Sequence, residues 1–414
     1  MNKKLFPILS AFLLLFSLIE KGQATETYRP ETSVAGFIQL PGSGRQVYNF
    51  NPGWRFFKGD IHGAESVDFD DRSWTIVSTP HTVELMPAEA SGCRNYQGPA
   101  WYRKHFVLPA ETKGKRVLIH FEAAMGKQVL YLNGKRIQEH VGGYLPFTLD
   151  LTTNGIQAGD SCLLAIFVDN SNDKSFPPGK PQYTLDFAYH GGIYRDVWMI
   201  AKSPVSITDP LDSQTVAGGG VFVHFDKISE KSAQVYVNTE LQNDNQHTET
   251  VTVETTLTDA DGKVIKRTSG KLSLKSGEKK IIRQQIEVKS PKLWSPDAPY
   301  LYKVQSRIKK GNQSIDGGIT RIGIRLAEFR GKDGFWLNGK PFVQLVGVNR
   351  HQDFAYVGNA LPNSQQWRDA KRLRDAGCTI IRVAHYPQDP SFMDACDELG
   401  MFVIVATPGW QYWN

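Results

Sequence analysis

The hydrophobic rhythm of the chain changes twice. From roughly Tyr48 to Ser203, apolar residues come in short runs between turns, as in "KRVLIHF" and "CLLAIFVDN", with no helical period between them. Within this block "VLYLNGKRI" (129–137) reads as a strand, an Asn133-Gly134 type I′ turn and a return strand. Such a pattern predicts an antiparallel sandwich of jelly-roll type. From about Pro204 to Ala327 the runs lengthen and become rich in Thr and Val: "AQVYVNTEL", "ETVTVETTLTD", "KKIIRQQIEV" and "YLYKVQSRIK". Charged turns separate them at regular spacing, which predicts an immunoglobulin-like β-sandwich carrying no chemistry of its own.

After Glu328 the rhythm changes again. "FWLNGKPF" is a second Asn-Gly hairpin, and beyond it strands alternate with helices. Strand "QLVGVNRH" leads to "SQQWRDAKRLRDAG", where Trp367, Ala370, Leu373 and Ala376 share a helical face and Gly377 supplies the stop. Strand "TIIRVAHY" leads to "PSFMDACDELG", a helix ended by Gly400, and "MFVIVA" closes the series. Apolar strands alternating with helices predict a parallel sheet with helices packed on it. The last strand, "MFVIVA", would then be an open apolar edge that favours aggregation.

Composition changes this picture little. With 414 residues, 40% hydrophobic and 22% charged, the chain has ordinary globular content and length for several domains. A net charge of +6 spread without any long basic run argues against a nucleic-acid partner. The N-terminus is distinctive: Lys3 and Lys4 precede the apolar run "LFPILSAFLLLFSLI" and the small-residue exit "GQA". That is the pattern of a secretory signal peptide over 1–24, too short for a membrane anchor, and it predicts a periplasmic or secreted protein with no other membrane contact. Cys93, Cys162, Cys378 and Cys396 form no C-x-x-C pair, so zinc is not suggested; Cys378 and Cys396, in apolar settings, read as buried free thiols.

Two strand ends raise the chemical question. "LVGVNRHQD" begins as a core strand and ends in Asn349, Arg350, His351, Gln352 and Asp353, and "IIRVAHYP" repeats the move with Arg382 and His385. A strand that needed only to stop would not require a guanidinium and an imidazole. Asp394, Asp397 and Glu398 also cluster, but on a helix between strands, where solvated or capping roles are expected.

Six motifs in order now carry a resemblance. "GWRFF…FDDRSWTIVSTPHT", "GPAWYRKHFVLP", "YLNGKRIQEHVGGYLPFTLDLT", "GGIYRDVWM", "GIRLAEF…GFWLNGKPFVQLVGVNRHQD" and "IIRVAHYPQDPSFMDACDELGMFV" resemble glycoside hydrolase family 2, which includes β-galactosidases, β-glucuronidases and β-mannosidases. The resemblance implies a sugar-binding-type jelly roll over 25–203, an immunoglobulin-like sandwich over 204–327, and the first part of a TIM (β/α)8 barrel over 328–414, truncated after about three strands. Active sites of such barrels lie at the C-terminal ends of the strands. On that basis His351 and His385 would contact the terminal sugar, with Asn349 beside them. Arg382 would point inward and grip a nucleophilic carboxylate, a task suited to a guanidinium fork. Asp186, six residues before Gly192, would reach from the jelly roll to the barrel mouth on a loop rich in Ser, Pro and Gly. Trp410, with Tyr412 and Trp413, suits a sugar ring and core packing equally.

The family's chemistry requires two carboxylic acids, roughly 5–5.5 Å apart in retaining enzymes. The resemblance puts the acid/base Glu on the fourth strand and the nucleophile on the seventh, so both are expected beyond Asn414 and no catalytic residue is expected in this chain. The Asp-Glu pair that many members carry after the third strand is replaced here by Val405 and Ala406, so neither a metal nor a cofactor is expected. The expected partner is a carbohydrate, and the full-length enzyme has room for a homo-oligomer. The reading is a β-galactosidase-like hydrolase whose 414 residues alone are inactive; the alternative is a non-catalytic carbohydrate-binding or structural remnant.

Overall fold

The computed structural model describes residues 31–32, 39–86, 95–177, 179–211, 213 and 218–407. Its first unit is a sandwich of two antiparallel sheets. One runs in the order Thr75–Val77, Trp54–Lys58, Pro99–Val107, Ser161–Asp169, Lys127–Leu132, Lys135–Val141. The other runs Glu31–Thr32, Gln46–Asn49, Val197–Lys202, Arg116–Phe121, Phe147–Asp150. The facing residues, among them Trp54, Tyr102, Phe106, Ile119, Phe121 and Leu164, form one core. Asn133 and Gly134 take φ of 50° and 81°, the left-handed pair that a type I′ turn demands.

The second sandwich packs the sheet of Val205–Ile207, Val221–Asp226, Ser232–Asn243 and Lys279–Lys289 on that of Val264–Leu274, Glu249–Thr258, Tyr302–Lys310 and Gln313–Ile322. Strict alternation buries Ala233, Val235 and Val237 while their neighbours face out. A short hairpin sheet follows, and its turn repeats the left-handed pair at Asn338 and Gly339.

Beyond it three parallel strands, Gly347–Arg350, Ile380–Val383 and Phe402–Val405, lie side by side in chain order. The strands approach so closely that a Cβ on Gly347 would strike the Ile380 carbonyl oxygen. Helices Asn363–Asp375 and Pro390–Leu399 cover one face, burying Ile381, Val383, Ala370, Phe392, Ala395 and Met401 together. Cys378 and Cys396 are buried free thiols in this layer, as is Cys162 in the jelly roll; Cys93 lies outside the described residues. The opposite face carries Asn349, Arg382 and Ile404, which are register neighbours across the sheet.

Two expectations need correction. The first helix buries Gln366 and Ala370, whereas Trp367 is 40% exposed and Ala376 is exposed. Its rotation brings Gln366 to Arg350. The acidic trio on the second helix is not merely solvated. Arg321 of the immunoglobulin-like sandwich pairs with Asp394 at 2.9 Å and also with Glu398, which accepts from Trp367 Nε1 at 3.0 Å. The Asp397 carbonyl accepts from Trp294 Nε1 at 2.9 Å, so this helix is a docking surface between units.

Candidate functional site

The parallel strands deliver their polar ends to one place. Asn349 and Arg382 face each other across the first two strands, with the guanidinium donating to Asn349 Oδ1 at 3.4 Å. Just beyond them His351 and His385 meet edge to face, ring centroids 5.4 Å apart and planes at 76°. The Ala384–His385 peptide is cis. Tyr386 closes the floor, its hydroxyl 3.5 Å from His351 Nδ1.

The jelly roll supplies the other wall. Phe187 lies 5.5 Å from the His351 ring, 5.7 Å from His385 and 5.8 Å from Tyr386. Leu185, Phe187, Tyr189 and Tyr194 join Tyr144, Ala360 and Tyr386 in one buried cluster spanning both units. Asp186 stands exposed between two buried neighbours, so it turns outward while Phe187 turns in. Phe187, the next residue, meets both the His351 and the His385 rings, which sets Asp186 on their side of the barrel.

Polar contacts lock this joint. Arg195 donates to Gln352 Oε1 at 3.1 Å and to the Pro387 carbonyl at 2.7 Å. Asn363, at the head of the first barrel helix, donates to Asp196 Oδ2 at 2.8 Å. Met86 and Tyr356 exchange backbone hydrogen bonds of 3.1 and 2.7 Å. The segment "GGIYRDV", through Arg195 and Asp196, therefore ties the sandwich to the barrel.

Electrostatics suit hydroxyl recognition. Burial pushes the His351 imidazolium down in pKa; Asp353 and Asp186 oppose the shift, while Arg382 and Arg350 add to it. His385 is lowered by burial first, then by Arg382 and His351. Both rings are thus neutral near pH 7 and can donate and accept. For Asp353, burial is the largest influence and pushes upward, but the neighbouring His190 and His351 rings outweigh it and hold the carboxyl below the usual carboxylate range. Its carboxylate lies 3.9 Å from His190 Nε2.

Arg350 does not belong to this site, although it ends the same strand. Strand alternation sends it into the helix layer, where it reaches Asp369 and Gln388, both at 2.5 Å, and Gln366 at 2.8 Å. Its guanidinium carbon lies 3.9 Å from the Phe392 ring centroid. Arg382, by contrast, has no carboxylate within ion-pair distance among the described residues. Asp186, Asn349, His351, Arg382 and His385 thus converge; Trp410 lies outside the described residues, as do Tyr412 and Trp413. Sequence reasoning missed Phe187 and Tyr386 and gave Asp353 no role; for Phe187 the aromatic run "FAYH" after Asp186 was the available signal.

Comparison with known proteins fits this geometry. Residues 64–204 match the sugar binding domain of glycosyl hydrolases family 2, residues 219–325 the glycosyl hydrolases family 2 model, and residues 329–412 the family's TIM barrel domain. The chain belongs to glycoside hydrolase family 2. It is 36% identical over 375 residues to a β-galactosidase of Thermoanaerobacter pseudethanolicus, covering 89% of this chain and 47% of that protein. It is 33% identical over 381 residues to a β-glucuronidase of Formosa agariphila, covering 88% and 38%. Among solved structures, Bacteroides uniformis β-glucuronidase 2, covalently bound to cyclophellitol-6-carboxylate aziridine, superposes with a TM-score of 0.78 at 32% identity, over 87% of this chain and 42% of that one. A family 2 β-glucuronidase gives 0.81 at 33%, over 89% and 40%. The chain thus spans less than half the length of these relatives.

Proposed function

We propose that this chain is the sugar-recognising portion of an exported β-galactosidase-like enzyme that hydrolyses terminal β-glycosidic bonds with retention. The observation that carries the reading is that the Asp186–Phe187 segment of a jelly-roll loop meets His351 and His385 at the barrel strand ends. The Asp186 carboxyl oxygens accept hydrogen bonds from sugar hydroxyls, and the imidazoles donate or accept beside it. A uronate would bring a second carboxylate towards Asp186 and Asp353, so a neutral galactoside fits better than a glucuronide. Arg382, on the inner face and without an acid to pair among the described residues, would receive a carboxylate supplied by further barrel strands. The covalent ligand of the B. uniformis relative supports a covalent intermediate, hence retention.

Among the described residues no acid faces Arg382, and this favours a second reading in which residues 1–414 by themselves bind sugar without turnover. Residues 1–414 should give no hydrolysis of p-nitrophenyl β-galactoside above buffer, while galactose should bind and Asp186→Asn should weaken it about tenfold or more. Turnover abolished by a point mutation within this chain would overturn the assignment of catalysis to residues beyond it. Galactose binding indifferent to Asp186→Asn and His385→Ala would overturn the site.

A further inference from the structure

Tyr183 is 77% exposed, three residues before Asp186, on a turn that is anything but loose. The 3-10 turn Gln182–Thr184 is held from beneath at several points. Gln182 is fully buried; its N–H donates to Asn172 Oδ1 at 2.8 Å, and its side-chain oxygen accepts from the Tyr189 N–H. Thr184 Oγ1 donates to the Pro181 carbonyl at 2.7 Å, and the Leu185 N–H returns to the Gln182 carbonyl at 3.0 Å. The Tyr189 hydroxyl ties the turn's approach by donating to the Lys180 carbonyl at 3.0 Å.

The consequence is a division of sides. Gln182, Leu185 and Phe187 point inward, Phe187 reaching both histidine rings, while Tyr183 and Asp186 point out on the solvent side of the same rigid loop. Three residues of chain separate the Cα atoms of Tyr183 and Asp186 by at most ~10 Å. A large aromatic held exposed on an ordered turn this close to Asp186 is within reach of a ligand that Asp186 contacts.

We propose that Tyr183 is the stacking platform for the second sugar unit, the one on the leaving-group side of the bond. This rests on the proposed placement of the terminal sugar between Asp186, His351 and His385. The ring offers a flat apolar face for the C–H side of a pyranose, and its hydroxyl offers a hydrogen bond to the unit's own hydroxyls. The ligand class is a β-linked galactosyl disaccharide or longer oligosaccharide, with the Tyr183 ring setting preference for a sugar over a small leaving group.

The test titrates the full 414-residue chain with galactose and with lactose by calorimetry. Lactose should bind roughly five- to tenfold more tightly than galactose, the worth of one aromatic contact. Tyr183→Ala should bring lactose down to the affinity of galactose, and Tyr183→Trp should keep the gain. An equal loss for both sugars in Tyr183→Ala would mark a structural role and overturn the proposal, as would a lactose preference that survives it. Galactose bound without any lactose gain overturns this inference alone. Neither sugar bound overturns the terminal-sugar site with it.

Discussion

Tyr144 of the jelly roll and Tyr386 of the barrel stack with ring centroids 4.3 Å apart and planes 10° from parallel. Both are buried, and they sit at the centre of the cluster that joins the two units. The Tyr144 hydroxyl, however, has no hydrogen-bond partner among the described residues. An unpaired buried hydroxyl costs about 1–3 kcal/mol, whereas the ring it crowns provides the packing. Tyr144→Phe is therefore expected to be neutral or to stabilise by about 1 kcal/mol, and Tyr144→Ala to destabilise by about 3–5 kcal/mol. Urea unfolding of the two variants against the parent chain distinguishes the hydroxyl from the ring.

Arg350 gives a second prediction. Its guanidinium serves Asp369, Gln366 and Gln388 together and lies on the Phe392 ring. Removing it strands a partly buried carboxylate and two amides, so Arg350→Ala should cost about 3 kcal/mol. Lysine cannot span the three partners, and Arg350→Lys should recover less than half of that. Thiol labelling localises the effect: Cys378 and Cys396, buried in this helix layer, should react faster in both variants, while Cys162 in the jelly roll keeps its rate.

Arg350 also shows what sequence could and could not reveal. The Asn133-Gly134 and Asn338-Gly339 turns were legible because positive φ at both central residues leaves little chemical choice. The parallel strands were legible from their apolar runs, and strand ends in Asn-Arg-His and Ala-His marked the site's position. Which polar residue turned inward was not legible. Strand period assigns Asn349 and Arg350 to opposite faces but cannot say which face holds the helices, and both faces accept polar groups. The pairing of Arg321 with Asp394 and Glu398 was equally hidden, because nothing local records a partner more than seventy residues away. Asp186 was found through resemblance rather than pattern; Phe187 beside it looked like any core aromatic.

Acids buried at the joint predict an unusual pH response. Asp196, accepting from Asn51 and Asn363, is pushed up to about 6, by burial first and by the charge of Asp389. Glu122 is raised by burial, Asp389 and Asp196 against the pull of Trp198 and Arg195, and Asp389 is raised by burial against Arg195, Ser391 and Arg350. The folded chain holds protons that the unfolded chain releases near pH 4, so this contribution is complete below that pH and fades as pH rises through about 6. Histidines buried neutral tilt the other way, with His81 pushed down to about 4 by burial. The informative quantity is thus the difference between Asp196→Asn and the parent. Relative to the parent, the variant should gain stability between pH 4.5 and pH 7. A difference that is flat across that range would remove Asp196 from the set of groups titrating there.

The last strand, Phe402–Val405, pairs with Ile380–Val383 on one side and with no strand on the other among the described residues. Ile404 and Val405 are 52% and 53% exposed; Val348 on the opposite edge strand and Val346 just before it are 46% and 62% exposed. Unpaired backbone groups beside β-branched side chains form a template for another chain. Residues 1–414 by themselves should therefore self-associate with rising concentration, as light scattering on a sizing column would record. A lysine at the open edge carries a charge that cannot be buried against a second copy, so Val405→Lys should hold the chain monomeric at concentrations where the parent associates. Ile404→Lys should do the same, but it also adds a cation beside Arg382 on the inner face. Only Ile404→Lys is then expected to weaken galactose binding, which separates the edge from the site. Parent and variants that remain equally monomeric across the range would show that this edge is closed by other means.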